Sequence, residues 1–277
     1  MNYRHIYHAG NFADVFKHWV LTLILQKLSA KNTPFCLIDT HAGLGAYPLD
    51  AAEAQKTQEY QHGVAMLEAQ KVDVVFEPYV ALVRKYMQQE HVYPGSPTIM
   101  QEFLRDQDRL LLTEMHAADY ALMKQRYDMD PRIKTFNRNG YESIKALLPP
   151  KERRGLVFID PAFEDPKEFA HIVQALQDGL RRFATGVYMV WYPIKDRKVI
   201  DKFYRDVRAQ TQLPILVAEL HANQILATAL SSCGLLIVNP PWQLDEILYS
   251  NLTKLLRLLQ FDKGIYKLFK VDGEANS

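Results

Sequence analysis

The chain has 277 residues, 48% of them apolar and 23% charged, and its 33 basic residues nearly balance 32 acidic ones for a net charge of +1. Those figures exclude a disordered chain, a disulfide-rich miniprotein and a polycationic nucleic-acid coat, and they suit one large domain with or without an insert. The two cysteines, Cys36 and Cys233, sit in the apolar runs PFCLID and SSCGLLIV and read as buried core.

The opening MNYRHIYHAGNFADVFKH lacks the apolar stretch of a signal peptide, and no run approaches the ~20 apolar residues that cross a bilayer. The expectation is a reduced, cytoplasmic protein without a membrane partner. The first element is a helix at 12–30, where Phe12, Val15, Phe16, Trp19, Val20, Leu23, Ile24 and Leu28 recur at helical spacing. Asn11 is its expected N-cap, with Asp14 three residues on, and Pro34 prevents continuation.

Short continuous apolar runs follow at 35–38, 110–113, 156–159, 187–191 and 235–238, with weaker ones at 133–137, 215–218 and 265–271. Runs of this length read as strands buried on both faces. Helical patterns separate most of them. The clearest covers 166–183, with Asp165 as N-cap and Pro166 at the first helical position, and another covers 243–260. The alternation predicts an α/β fold with a mostly parallel sheet. About 65 residues separate the first strand from the second, where a βαβ unit needs only ~30. The excess predicts a small helical subdomain at 46–100 inserted into a domain formed by 1–45 and 101–277, ending in the turn-rich Tyr93-Pro94-Gly95-Ser96-Pro97.

In an open α/β sheet, ligands bind beyond the carboxyl ends of the strands. Asp39-Thr40-His41-Ala42-Gly43-Leu44-Gly45 stands after the first strand and Glu114 at the end of the second. Arg138-Asn139-Gly140 follows the third, and Asp160-Pro161-Ala162-Phe163 the fourth. A Gly-rich turn, an acidic end, a polar end and then Asp-Pro-x-aromatic is the arrangement of a class I S-adenosylmethionine-dependent methyltransferase. GxGxxG and Walker A patterns are absent. Asp-Pro-x-aromatic also suits methylation of an exocyclic amine, whose lone pair is delocalised into the base. A carboxylate at Asp160 and the Pro161 carbonyl accept its two N–H bonds and turn the lone pair toward the methyl group, while Phe163 stacks on the ring.

The segments Tyr3-Arg4-His5, His8-Ala9-Gly10-Asn11, Ala13-Asp14-Val15, Lys17-His18, Asp39-Thr40-His41-Ala42-Gly43, Tyr93-Pro94-Gly95-Ser96-Pro97, Trp191-Tyr192-Pro193 and Asn239-Pro240-Pro241-Trp242 make the resemblance specific. So do Arg153-Arg154-Gly155-Leu156 and Arg182-Phe183-Ala184-Thr185-Gly186. Over nearly the whole chain the sequence resembles the bacterial 23S ribosomal RNA adenine-N6 methyltransferase family known as RlmJ, which has also carried the label of use of external DNA as a nutrient. The resemblance implies S-adenosylmethionine as cofactor, with His18, His41, Ser96, Glu114, Asn139, Gly140 and Asp160 at its site. It implies Asp160, Pro161 and Phe163 as the catalytic loop, and Tyr3 and His5 in a tail that meets the substrate. The implied partner is ribosomal RNA, protein-free or as an early precursor, with no obligate protein partner.

Two departures matter. The family's catalytic motif is close to Asp-Pro-Pro-Tyr, and here Ala162 and Phe163 occupy its last two places. The family usually has Asp-Gly where this chain has Asn139-Gly140. A competing motif, Asn239-Pro240-Pro241-Trp242, fits the general pattern better, but it follows the last core strand and reads as structural. His5, His8, His18 and His41 lack the spacing of a metal set, and no metal is expected. Lys195, Arg197, Lys198 and Lys202 follow the fifth strand and suit either RNA phosphates or a solvated helix face. The alternatives are a DNA adenine methyltransferase and a non-catalytic nucleic-acid-binding protein of external-DNA use.

Overall fold

The computed structural model describes residues 4–68, 70–222 and 230–271. After a 3-10 turn at His5–Tyr7 come α1 (Phe12–Ser29), β1 (Cys36–Asp39), β2 (Ala46–Pro48), α2 (Ala52–Thr57), α3 (Val64–Glu68), α4 (Glu77–Gln89), β3 (Val92–Pro94) and α5 (Ser96–Glu102). The chain continues through β4 (Arg109–Glu114), α6 (Ala117–Tyr127), β5 (Ile133–Asn137), α7 (Gly140–Leu147), β6 (Gly155–Ile159), α8 (Glu168–Arg182) and β7 (Val187–Pro193). It ends with α9 (Arg197–Arg208), β8 (Ile215–His221), β9 (Ser232–Val238), α10 (Leu244–Leu258) and β10 (Ile265–Lys270).

Eight strands form one sheet in the order β10-β8-β9-β7-β6-β1-β4-β5. β5, β4, β1, β6 and β7 are mutually parallel, while β9 runs antiparallel to both β7 and β8. This is the class I S-adenosylmethionine-dependent methyltransferase fold, with β10 added at the edge. Alternate strand residues feed two cores, as a pleat of period two requires. Leu37, Leu110, Leu112, Leu156 and Phe158 pack with α1, α4 and α10 on one face. Ile38, Leu111, Val157 and Ile159 pack with α7, α8 and α9 on the other.

α1 is central rather than peripheral, with 15 of its 18 residues buried, among them the polar Asp14, Lys17, His18 and Thr22. Asn11 caps it through Asp14 N–H at 3.0 Å. The Asp14 carboxylate does not return to Asn11 but accepts the Gly10 N–H at 2.8 Å, so the expected capping pair is displaced by one residue. The helix expected from Pro166 begins at Glu168 instead, after a cap residue, Lys167, with no side-chain bond. Asp165 closes the preceding turn, its carboxylate accepting Lys167 N–H at 2.8 Å and its carbonyl accepting Glu168 N–H at 3.0 Å.

The segment 46–100 carries the expected helices. It also contains a two-stranded antiparallel sheet, β2 with β3, because Tyr47 and Tyr93 pair across the turn-rich ends of the segment. Tyr79, Val80, Val83 and Tyr93 share the core that α1 fills. Cys36 and Cys233 are buried and unbridged. No helix among the described residues is long and apolar enough to cross a membrane.

Candidate active site

The chain runs from β1 to β4 and β5 on one side and then returns to β6 on the other side of β1. That reversal opens a crevice beyond the carboxyl ends of β1 and β6, where ligands bind in open α/β sheets. A cavity of about 510 Å³ lies there. His5, His18, His41, Ser96, Glu114, Asn139, Gly140, Asp160, Pro161 and Phe163 all line it. Tyr3 lies outside the described residues.

The Asp160 corner is held by a lysine. Lys17 Nζ, from the second turn of α1, lies 2.5 Å from Asp160 Oδ2 and 2.8 Å from Asp14 Oδ1. The Lys17 side chain is only 4% exposed. Burial disfavours its charge, yet the two carboxylates hold the ammonium above its ordinary pKa. Burial likewise opposes the Asp14 charge, but the His5 imidazole, 2.9 Å from Oδ2, and Lys17 hold that carboxyl well below its ordinary range. Lys17 also lies 5.6 Å from the centre of the Trp191 ring. Phe163 has a left-handed backbone, φ 53°, which is rare for a bulky side chain and aims its ring at Trp191 (5.9 Å) and Phe169 (5.0 Å).

The β1–β4–β5 side carries the remaining candidates. Glu114 accepts N–H bonds from Gly43 (2.9 Å) and His116 (2.7 Å), and burial raises its pKa. Ser96 donates to Asp39 Oδ2 at 2.7 Å. His18 is buried against Tyr93, whose hydroxyl lies 2.6 Å from Nδ1, and burial drives its pKa well below the ordinary value, so it is neutral. Loss of solvation lowers His41 to about 4. Asn139 caps α7, its amide oxygen accepting Tyr141 N–H at 2.8 Å, so that oxygen already serves the helix. Gly140 admits no side chain, because a Cβ would stand 2.1 Å from the Thr40 carbonyl.

Burial lifts the Asp39 carboxyl to about 7, despite the bonds from Ser96 and His41 N–H. A carboxyl raised in the folded state keeps its proton there while the unfolded chain has lost it. Stability therefore falls as pH rises from about 4 to about 7, by at most about 1.4 kcal/mol per pH unit. Asp39→Asn should flatten this dependence, so urea unfolding should show the variant gaining on the native chain between pH 5 and pH 8. Parallel curves would place the titration elsewhere.

Asn239-Pro240-Pro241-Trp242 follows an interior strand and lies at the end of the sheet opposite the cavity. Val238 ends β9 beside Tyr188 and Ile215, near the starts of β7 and β8. Asn239 donates to the carbonyls of Thr185 (3.2 Å) and Gly186 (3.3 Å), and it bridges the turn into β7. Of the basic group after β7, Lys195 lines the cavity, whereas Arg197 and Lys202 are tied to Asp201 and Asp206. Among the described residues no group of three or more His, Cys, Asp or Glu converges as a metal site. Sequence reasoning missed Lys17 and Asp14 as parts of the site. The available signal was a charged pair at i, i+3 in a helix whose other residues from Phe12 to Leu25 are apolar save His18 and Thr22.

The model of the family described as "Ribosomal RNA large subunit methyltransferase D, RlmJ" matches residues 32–269. The chain belongs to this family. It is 39% identical over 250 residues to ribosomal RNA large subunit methyltransferase J of Escherichia coli (strain K12), covering 89% of each chain. It is 40% identical over 250 residues to the protein of the same name from Haemophilus influenzae, covering 88% of this chain and 89% of that one. Among solved structures, protein LPL1258 of Legionella pneumophila shares 32% identity with this RlmJ family member, with a TM-score of 0.87 over 97% of this chain and 99% of that one.

Proposed function

We propose that the protein transfers a methyl group from S-adenosylmethionine to the N6 amine of an adenine in 23S ribosomal RNA. The observation that carries this reading is the placement of Asp160-Pro161 and Phe163 on the cavity wall at the switch point of the sheet. The family and its named relatives support ribosomal RNA as the substrate.

The residues present fit the cofactor. A cavity of about 510 Å³ falls within the ~300–1,000 Å³ typical of small-molecule sites. Glu114 at the end of β4 accepts the ribose hydroxyls, and side-chain-free Gly140 lets the β5–α7 turn pack on the Thr40-His41 loop that borders the site. The bound cofactor supplies an electrophilic methyl group. Asp160 and the Pro161 carbonyl accept the two N–H bonds of the adenine amine, which localises the nitrogen lone pair. Lys17 donates to Asp160 Oδ2, so Oδ1 is the oxygen for the amine. Phe163 supplies an aromatic face for the base. The segment 46–100 acts as a subdomain that grips the N-terminal segment, in which Tyr3 and His5 meet the RNA.

Loss of two charge-assisted hydrogen bonds costs about 1.5–3 kcal/mol each, so Glu114→Ala should weaken S-adenosylmethionine binding at least ~10-fold by calorimetry. Unchanged affinity would remove Glu114 from the site. The reading as a whole is tested with labelled S-adenosylmethionine on protein-free ribosomal RNA, duplex DNA and intact ribosomes. N6-methyladenosine should form on the protein-free RNA. Label confined to DNA, or to another atom of the base, would overturn the assignment.

A further inference from the structure

Four side chains form an unbroken line from the N-terminal segment to the catalytic loop. His5 Nε2 lies 2.9 Å from Asp14 Oδ2, Asp14 Oδ1 lies 2.8 Å from Lys17 Nζ, and Lys17 Nζ lies 2.5 Å from Asp160 Oδ2. Asp14 is the hub of this line and is 1% exposed. Its Oδ2 also accepts the Gly10 N–H at 2.8 Å. Neutralising a buried carboxylate requires a cation, and Lys17 one turn away provides it. The bonds to His5 and Gly10 go further, because they reach residues outside the helix.

The insert grips the same residues from the other side. Val64 N–H donates to the Gly10 carbonyl at 2.8 Å, and a Cβ at Gly63 would stand 2.1 Å from that oxygen. His8 Nδ1 and Asn11 Nδ2 both meet the Glu59 carboxylate, at 2.8 and 2.9 Å. Residues 5–11 therefore sit between the insert and Asp14.

We propose that Asp14 is a positioning residue for methyl transfer, coupling the seating of residues 5–11 to the placement of Lys17 on Asp160. The ammonium stands between two carboxylates, and the pull of Asp14 keeps it from settling wholly on Asp160. Without that pull Lys17 competes with the substrate amine for the acceptor carboxylate and draws it from its place. An unseated segment removes His5 and the Gly10 N–H from Asp14 and shifts the same balance. The proposal rests on the reading of Asp160 as the group that accepts the amine.

Asp14→Asn keeps the shape and removes the charge. In the full chain, the single-turnover rate on protein-free ribosomal RNA should fall ~100-fold, the scale of a small misplacement at a reacting centre. The dissociation constant for S-adenosylmethionine should stay nearly unchanged. Tryptic cleavage after Arg4, read by mass spectrometry as a new N-terminus at His5, should accelerate several-fold. A folded variant with the native rate, or one whose rate and cofactor affinity fall together, would overturn the proposal. Asp14→Ser provides a second variant, and failure of both to fold would make Asp14 a folding determinant and overturn the positioning role. Failure of the underlying reading looks different: the native chain is inactive on RNA, or Asp160→Ala is as active as the native chain. The tryptic measurement then still decides whether Asp14 holds the segment.

Discussion

Asp160→Ala is expected to abolish methyl transfer in a chain that still folds, while Asn239→Ala keeps most of its activity. The two residues head the two motifs that compete for the catalytic role. Asp160 lines the cavity at the switch point, with its carboxylate 15% exposed and held by Lys17. Removing a preorganised acceptor of transition-state hydrogen bonds costs about 10²–10³ in rate, and here the substrate lone pair also loses its orientation. Asn239 stands at the opposite end of the strands, where its amide donates to two carbonyls before β7. Loss of those bonds costs about 1–2 kcal/mol of stability and nothing at the reacting centre. Rates with labelled cofactor, alongside thermal melting, separate the two. An active Asp160→Ala with a folded but dead Asn239→Ala would move the chemistry to the other loop.

The sheet was legible because each core strand is a short apolar run and each strand end carries polar residues. Asp39, Glu114, Asn139 and Asp160 could be ordered from the sequence by that rule alone. Two features escaped it. The start of α8 was misplaced because Asp165-Pro166 has the chemistry of a helix start. The backbone instead uses Asp165 to close a turn, and the helix begins at Glu168. The β2–β3 pair escaped because each strand is three residues long, too short to show a period. The pairing partners are also 46 positions apart, as Tyr47 and Tyr93 are. At the site, the role of Lys17 escaped because periodicity reports which face is apolar. It does not report that the polar positions of α1 are also enclosed. That follows from the sheet, the insert and α10 enclosing the helix from Phe12 to Leu25, which is a tertiary fact.

Lys17→Met should damage both stability and chemistry, and pH should distinguish the two effects. Methionine keeps much of the lysine stem's length and removes the ammonium. The Asp14 and Asp160 carboxylates then face each other across an apolar side chain. Breaking a buried ion pair by removing one partner typically costs about 3–5 kcal/mol, because the remaining charge has no counterion. In the native chain, burial opposes the Asp14 charge but His5 and Lys17 hold its pKa well below the ordinary value. A carboxyl depressed in this way contributes stability above its unfolded pKa near 4, and that stability is lost as pH falls through the folded value. The variant lacks much of that contribution. Its deficit in urea unfolding should be greatest at pH 7 and narrow as the solution approaches pH 4, where a proton replaces the missing cation. Methyl transfer should remain absent at every pH at which the variant is folded, since Lys17 is the group that holds Asp160 Oδ2 among the described residues. A deficit that does not change between pH 7 and pH 4 would mean that Lys17 stabilises the fold by packing alone. A folded variant with appreciable activity would remove it from the site.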